Sequence, residues 1–379
     1  MLELSSEQRM LVDETERIAR NEFADRAFTW EGEEYPRENI ETLADQGFLG
    51  INLPVEYGGG GMGEFDVALQ VETIGRVCPD TAAAVYGMSM VAPRAIEMFG
   101  SADAKEYYLP KVTAGEASIA IAISEPEAGS DSQNMNTTVE EADDGELYLN
   151  GEKIWVSNVP DSDAAVVWAR FPEGLGTVIM EFDQAGVEIG QHFTNMHGGT
   201  QTQFYMEDVH IPEDRVLVRG PQALKDQLKA LNWERCGSSM LANSIGLNAF
   251  DRAVEYAGDR EQFGQPIGEF QGLRWKVADM AKRLEASRAL TYRAALSADS
   301  NDGAPDRLQT SIAKLFSSET VERVVSEALQ VHGANGYQQG HPLEYLYRLA
   351  RGRRIAAGTD EIQKNNIADV VFDRGLPSA

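Results

Sequence analysis

A loop of small and polar residues, ISEPEAGSD at positions 123–131, offers groups that bind ligands. Ser124 and Ser130 carry hydroxyls, and Gly129 leaves the neighbouring backbone N–H groups open to close approach. Such a loop suits a flat polar ligand or a phosphate group. An ordinary turn has the same composition, so these residues alone leave both alternatives open.

A strand with a mixed face follows in KIWVSN, at positions 153–158. Because side chains alternate along a strand, Trp155 and Ser157 lie on one face. Three later segments also combine charged or polar residues with glycine: DREQFGQPIGEFQ (259–271), QVHGANGY (330–337) and AAGTDEIQ (356–363).

Metal and disulfide chemistry have little support in the sequence. Cys78 and Cys236 are the two cysteines, too few for a disulfide framework, and no Cys/His cluster has metal-ligand spacing. The five histidines are dispersed; His332 lies in one of the segments named above and is the one we associate with a ligand. We predict no metal site.

The charge balance is strongly acidic. Sixty-one Asp and Glu residues against 33 Lys and Arg give a formal net charge of −28. This argues against nucleic acid or an anionic membrane as a partner. Because the acids are scattered, we interpret them as a solvated surface of the halophilic type, adapted to high salt.

The chain ends and hydropathy indicate a protein that does not insert into membranes. The first 23 residues form an amphipathic helix pattern rather than a signal peptide, and no apolar run reaches about 18 residues. We expect a cytoplasmic location.

The spacing of apolar residues changes twice along the chain, from helical to alternating and back to helical, and this predicts the elements that position these residues. Residues 1 to about 115 show helical spacing, with Leu11, Ile18 and Phe23 near one face. Glycines 58–61 interrupt it, and there we favour a plain turn over a phosphate loop. From about 117 to 215, short alternating stretches predict strands, with Asn150-Gly151 as a hairpin turn.

The remainder is helical again, from about 219 to 372. One predicted helix carries an apolar stripe that we expect to be buried, formed by Met240, Leu241, Ile245, Leu247, Phe250 and Val254. The residues SNDGAP at 300–305 predict a surface loop. The order of the elements is therefore α, then β, then α.

This order of segments resembles the acyl-CoA dehydrogenase family along nearly the whole chain. The family pattern has a TEP-x-AGSD loop, a W-(I/V)-(S/T)-N strand, an R-x-x-FG-x-x-(I/L)-x-x-x-Q helix start, a Q-x-x-GG-x-G segment and a terminal GT-x-x-IQ. All five occur here in order and at family-like spacing. One departure is Ala334, where many members have Gly.

The resemblance implies a multidomain α+β fold. It comprises an N-terminal α-helical domain (1–116), a middle β-barrel domain (117–218) and a C-terminal four-helix bundle (219–379), assembled as a homotetramer. FAD would lie between the β domain and the bundle. The implied activity is α,β-dehydrogenation of an acyl-CoA, as in fatty acid metabolism, with electrons passed to an electron-transfer flavoprotein.

The resemblance also assigns site residues. Those lining or contacting the flavin would be Ile123, Ser124, Gly129, Ser130, Trp155 and Ser157. Those reaching the FAD of a neighbouring subunit would be Arg260, Phe263, Gln271, Gln330 and Gly333. Thr359 and Glu361 would hold the near part of the cofactor.

Two positions in the sequence compete for the role of catalytic base. The implied reaction removes an α proton, which requires a carboxylate of raised pKa and a donor for the thioester oxygen. Many members have that carboxylate directly before the terminal GT, where this chain has Ala357. Isovaleryl- and long-chain-type members place it on the bundle helix before an Arg, which corresponds here to Glu234 and Arg235.

Helical spacing supports this assignment. Leu241 and Ile245 follow Glu234 by seven and eleven residues, so all three lie within roughly 20° on a helix. The alternative is a Glu in the first helical turn with Asn232 as its N-cap. We predict that Glu234 is the base, that Arg235 orients it and that the Ala357 backbone N–H binds the thioester oxygen. A surface ion pair is the alternative for Arg235.

Other activities remain open on the same residues. One is enoyl-CoA reduction of the crotonobetainyl-CoA reductase type, whose members also resemble this chain in their Glu-Arg pair and small residue before GT. Others are an oxidase and a non-catalytic homologue that binds acyl-CoA or flavin. The acyl group and the direction of the reaction are not determined by the sequence.

Overall fold

The computed structural model describes residues 4–376, which form two compact units. The first unit comprises Ala68–Ala83 and the described parts of Met1–Glu31 and Glu234–Ala379. The second comprises Gly32–Val67 and Ala84–Trp233.

The chain begins with helices. They are α1 (Ser6–Ile18), α2 (Arg37–Asp45), α3 (Glu64–Gly75), α4 (Pro79–Met90), α5 (Ala92–Phe99) and α6 (Ala102–Thr113). At the start of α1, Ser5 and Gln8 form a reciprocal capping box. Leu11, Ile18 and Phe23 are buried, as their spacing predicts.

Eight strands follow in one sheet. They are β1 (Ile119–Ala122), β2 (Thr138–Glu141), β3 (Leu147–Ser157), β4 (Ala164–Phe171), β5 (Gly174–Glu181), β6 (Val187–Thr194), β7 (Thr200–Ile211) and β8 (Val216–Val218). The hydrogen-bonded order is β6-β7-β3-β2-β4-β5-β8, and β1 pairs with β4 in parallel. Alternating side chains from these strands form a core that includes Leu149, Val167, Val178 and Phe204.

The predicted hairpin turn at Asn150-Gly151 is wrong. Both residues lie inside β3, which continues through a register shift opposite β7. The Asn150 side chain accepts a hydrogen bond from the Asp208 backbone N–H at 2.8 Å. Gly151 has φ +140°, and a Cβ there would lie 2.7 Å from the Thr137 Cα. The Asn-Gly pair therefore serves a bulge, while the turn joining β2 to β3 lies at residues 142–146.

The four-glycine run packs backbone against backbone. The Gly61 and Met62 N–H groups donate to the Leu53 and Ile51 carbonyls at 2.9 and 2.8 Å. A Cβ on Gly59 would lie 2.2 Å from the Leu53 carbonyl oxygen. Glycine is needed here for close approach of two chain segments, which supports the turn interpretation.

The C-terminal part is mainly helical. Its elements are α7 (Ala223–Asp259), β9 (Glu261–Gln262), β10 (Gln265–Pro266), α8 (Gln271–Leu296), α9 (Arg307–His332), α10 (Pro342–Arg353) and α11 (Asp360–Arg374). β9 and β10 form a two-stranded antiparallel sheet, and α8 packs against α9.

Two details of α7 differ from expectation. The helix begins at Ala223, so Asn232 is not an N-cap and Glu234 lies eleven residues inside (234 − 223 = 11). Along the stripe, Met240, Leu241 and Ile245 are buried and Leu247 and Phe250 are partly buried. Val254, however, is 42% exposed. Near the end of α7 the apolar stripe is therefore no longer buried.

Candidate active site

Glu234 is a buried carboxyl on α7, with 9% of its surface exposed. Removal from water raises its pKa to about 7, although the charge of the adjacent Arg235 acts in the opposite direction. A carboxylate poised near neutral pH can take a proton from a weak carbon acid and later release it. The location and the electrostatics of Glu234 therefore suit a general base.

Arg235 is buried as well, at 5% exposed, so it is not part of a surface ion pair. Burial lowers the pKa of its guanidinium, and Glu234 opposes that effect. Its Nε donates to the Ala357 carbonyl oxygen at 3.4 Å. Gln363 on α11 donates from Nε2 to the same oxygen at 3.4 Å and to the Gly358 carbonyl at 3.2 Å. Gln363 is the last residue of the terminal GT-x-x-IQ motif, but no role at the site was predicted for it from the sequence.

Ala357 has φ +57°, in the left-handed region that residues other than Gly, Asn and Asp seldom adopt. Its carbonyl accepts the two hydrogen bonds described above. Its N–H has no hydrogen-bond partner among residues 4–376. An unused backbone donor in a held conformation can bind an oxygen that gains negative charge.

Thr359 and Glu361 lie at the start of α11. Thr359 is the N-cap, and its Oγ1 accepts from the Ile362 N–H at 3.3 Å. Glu361 is exposed in the first helical turn. Their assigned contact with a cofactor stays a prediction, and the positive end of the helix axis favours negative charge near them.

In the second unit, Trp155 and Ser157 both point out of β3 and are exposed, as the alternation predicts. Trp155 is 50% exposed and has φ +60°. Phe193 of β6 lies against the indole, with ring centroids 4.7 Å apart. Phe193 was not identified from sequence, because cross-strand neighbours depend on a register that the sequence does not reveal.

The loop at 123–131 is tied to β3 by a buried ion pair that sequence reasoning also missed. Lys153 Nζ lies 2.8 Å from Glu125 Oε1 and donates to the Ile123 carbonyl at 3.1 Å. The Ile154 N–H donates to the Ser124 carbonyl at 3.0 Å. The predicted ligand residues of the loop and of the strand therefore belong to one hydrogen-bonded structure.

The Glu125 carboxyl is held ionised within this structure. Burial raises its pKa, but hydrogen bonds from Lys153, Thr137 and Asn136 outweigh that effect and leave the pKa below its ordinary value. Gly129 and Ser130 are exposed on the same loop, and a Cβ at Gly129 would meet nothing within 4 Å.

The remaining predicted residues lie at the ends of the bundle helices and are exposed. They are Arg260, Phe263, Gln271, Gln330 and Gly333. Phe263 is 95% exposed in the connection from α7 to α8. Tyr256 near the end of α7 stacks on His332 at the end of α9, with ring centroids 4.2 Å apart. The contact brings these two helix ends together.

His332 is 7% exposed and its Nδ1 bonds to the Ala328 carbonyl at 2.9 Å. Within residues 4–376, no group of three or more His, Cys, Asp or Glu side chains could hold a metal ion. Over the same part of the chain, every helix is too short or too polar to cross a bilayer.

Comparison with protein families gives three consecutive matches. Residues 5–116 match the acyl-CoA dehydrogenase N-terminal domain, 120–209 the middle domain and 224–372 the C-terminal domain.

Three similar proteins have described activities or assemblies. An acryloyl-CoA reductase (NADH) of Anaerotignum propionicum is 34% identical, over 90% of this chain and 88% of its own. A 3-sulfinopropanoyl-CoA desulfinase of Advenella mimigardefordensis is 34% identical, over 100% and 96%. Subunit CarC of a caffeyl-CoA reductase–Etf complex of Acetobacterium woodii is 30% identical, over 91% and 92%.

A solved structure extends the likeness to the fold. The acyl-CoA dehydrogenase of Bacillus anthracis, solved as a complex with FAD, superimposes with a TM-score of 0.90 at 27% identity. The match covers 99% of this chain and 69% of that one.

Proposed function

The chain belongs to the acyl-CoA dehydrogenase family, and we propose that it is an FAD-dependent enzyme that introduces an α,β double bond into an acyl-CoA thioester. The observation that carries the proposal is the group of three residues Glu234, Arg235 and Ala357. It combines a buried carboxyl whose pKa is raised to about 7 with an unused backbone donor.

The residues present fit a flavin. In the second unit, the exposed Trp155 ring offers a stacking surface, and Ser157, Ser124 and Ser130 offer hydroxyls for a polar heterocycle. In the first unit, the capped start of α11 carries Thr359 and Glu361 as polar groups. When bound, FAD would supply the acceptor for the β hydride of the substrate.

This chain's own residues would handle the proton and the charge. Glu234, ionised, takes the α proton, and burial away from water strengthens its basicity. The Ala357 N–H donates to the thioester oxygen as negative charge develops there. Arg235 and Gln363 donate to the Ala357 carbonyl and so hold the Ala357–Gly358 peptide, which is next to the peptide that carries this N–H.

The domain boundaries, the oligomeric state, the location and the electron acceptor belong to the same proposal. We place the helical domain at 1–116, the β domain at 117–218 and the bundle at 219–379. We also propose a homotetramer in which Arg260, Phe263, Gln271, Gln330 and Gly333 reach a neighbouring subunit's cofactor, and a cytoplasmic location. An electron-transfer flavoprotein as acceptor is supported by the relative in the caffeyl-CoA reductase–Etf complex.

Enoyl-CoA reduction is a second candidate. One relative at 34% identity is an acryloyl-CoA reductase (NADH), and another at 30% is subunit CarC of a caffeyl-CoA reductase–Etf complex. Run in that direction, Glu234 in its protonated form would deliver the α proton. A pKa near 7 leaves both forms populated at neutral pH.

Anaerobic titration of the FAD-loaded protein separates these candidates. Saturated acyl-CoAs of different length, branching and polarity are added while the flavin absorbance is recorded. Bleaching by one class supports dehydrogenation. If none bleaches the flavin and enoyl-CoAs instead reoxidise photoreduced flavin, the reductase proposal replaces it. Acyl-CoA binding without either spectral change would contradict both.

A further inference from the structure

Hydrogen bonds between its two ends close the turn that carries Ala357. The Asp360 N–H donates to the Arg354 carbonyl at 3.2 Å. In the other direction, Arg354 Nε donates to Asp360 Oδ2 at 2.6 Å. Residues 354–360 thus form a loop in which Ala357 and Gly358 have φ +57° and +88°. A left-handed Ala costs free energy, so the loop needs contacts from outside to persist.

Those contacts come from α9. Lys314 Nζ donates to the Arg353 carbonyl at 3.0 Å and lies 3.8 Å from Asp360 Oδ1. Ser318 Oγ donates to Asp360 Oδ1 at 2.7 Å. The side chains of Lys314 and Asp360 are 1% and 2% exposed. Lys314 therefore joins the last residue of α10 to the first residue of α11, on either side of the turn.

A buried Lys–Asp pair is a weak source of stability, because desolvation of both charges offsets their attraction. The pair can instead fix positions, because each buried charge needs hydrogen-bonding partners and those partners lie at the two ends of the turn. The carbonyl that Lys314 binds ends α10, where the helix carries partial negative charge. The pair is suited to fixing the position of the segment between its partners.

We propose that Lys314 and Asp360 are positioning residues that hold the turn 354–359 so that the Ala357 N–H meets the thioester oxygen. The proposal rests on the function proposed above for Ala357. Neither residue touches substrate in this account; both act through the turn. Arg235 and Gln363 hold the Ala357 carbonyl from α7 and α11, whereas Lys314 and Asp360 hold the ends of the turn.

The charges around Lys314 give this role a pH dependence. Burial lowers its pKa to about 8, and Asp360 of α11 opposes the shift. Arg353 at the end of α10, Arg354 directly after it and Arg235 of α7 add to the shift. As the ammonium loses its proton above that pH, its attraction to Asp360 disappears. We expect kcat to fall on the alkaline side for this reason.

Lys314→Met tests the proposal, with Lys276→Met as the matched control. Lys276 bonds to Glu327 between α8 and α9 and is partly exposed, away from the turn. Hydrogen exchange of amides 354–360 is measured on both variants and on wild type, with kcat and KM for the acyl-CoA that bleaches wild-type flavin. Asp360→Asn is measured in parallel and carries the test if Lys314→Met does not fold.

The expected result has three parts. Exchange of amides 354–360 accelerates about tenfold in Lys314→Met and not in Lys276→Met. The kcat falls about tenfold to hundredfold, while KM stays within about twofold. The alkaline limb of the kcat profile, present in wild type, is absent from Lys314→Met.

Unchanged exchange in the turn, or wild-type kcat with the alkaline limb retained, would overturn the positioning role. Failure of the proposed function is a separate outcome, because it would show as absence of any spectral change in wild type. The exchange measurement does not depend on turnover.

Discussion

Arg235 Nε reaches the carbonyl oxygen of Ala357 across 3.4 Å, although 122 positions separate the two residues in the chain. The Arg that follows the buried Glu234 is therefore bonded to the residue whose backbone N–H is unused. Ala357, which has no carboxylate, and Glu234, which has one, are therefore linked through Arg235. Ala357 contributes a backbone group, so loss of a side chain there leaves its proposed role intact.

Replacing Ala357 by Gly should keep activity and increase stability. Gly adopts φ +57° without a Cβ penalty, while its N–H and carbonyl stay in place. We expect kcat near wild type and a gain of about 0.5–1 kcal/mol in the free energy of unfolding, measured by urea denaturation. The matched control is Ala356→Gly, whose φ is not positive and which should lose stability. A kcat loss in Ala357→Gly beyond about tenfold would show that the methyl group itself matters.

Stability should fall as pH rises through 7 because of Glu234. Its pKa is raised to about 7 in the folded protein from 4.5, so the folded state binds the proton more tightly. The stabilisation is complete below pH 4.5 and is lost as pH rises through 7, on the order of 3 kcal/mol. The free energy of unfolding of Glu234→Gln, compared with wild type at pH 5 and pH 8, isolates this contribution.

The comparison with Glu234→Gln is needed because Glu64 would also make stability depend on pH. Burial raises the pKa of Glu64 to about 7, although the charge of Arg94 opposes that shift. In the difference between wild type and Glu234→Gln, its contribution cancels. Glu234→Gln should gain on wild type between pH 5 and pH 8. An equal difference at both pH values would mean that Glu234 titrates normally.

Replacing only one member of the buried pair Lys153–Glu125 should lower the free energy of unfolding. Lys153→Met leaves the Glu125 carboxylate buried without its cation, and we expect a loss of about 3–5 kcal/mol in the free energy of unfolding. Glu125→Gln should also destabilise the fold. The double variant Lys153→Met/Glu125→Gln should lose less than the sum of the two, as measured in a double-mutant cycle. Additive losses would indicate that the two side chains act independently.

The acidic surface should make the fold depend on salt. At a net charge of −28, self-repulsion opposes the compact state, and 1 M KCl shortens the Debye length from about 8 Å at 0.15 M to about 3 Å. We expect the melting temperature at pH 7.5 to rise between these concentrations. The same titration at pH 4.5, where many carboxylates are protonated, should show a smaller rise. A melting temperature that is constant in KCl at pH 7.5 would contradict the interpretation.

The family and the α, β, α order could be predicted from the sequence, and the comparisons confirm both. Five motifs in order carry that information, because each is a local pattern of residue types. Local patterns failed where a distant segment decides the outcome. Asn150-Gly151 has the composition of a turn, but contact with Thr137 and Asp208 makes it a bulge.

The same limit applies to the site. The spacing of Glu234, Leu241 and Ile245 correctly predicted a buried face, whereas α7 begins at Ala223, nine residues before the cap signal at Asn232 (232 − 223 = 9). Lys314 and Lys153 escaped detection because their ionic partners lie 28 or more residues away in the chain, whereas Gln363 binds carbonyls only five and six residues away, in a turn whose shape the sequence does not reveal. The functional roles of the predicted residues stay predictions.

The most direct test of the account is the rate of anaerobic flavin reduction in wild type and Glu234→Gln with the acyl-CoA that bleaches wild type. Binding of that acyl-CoA is measured on both proteins, so that lost affinity is separated from lost chemistry. We expect Glu234→Gln to bind the thioester and to reduce the flavin at a rate lower by about 10²-fold or more. Equal reduction rates in the two proteins would contradict the assignment of Glu234 as the base.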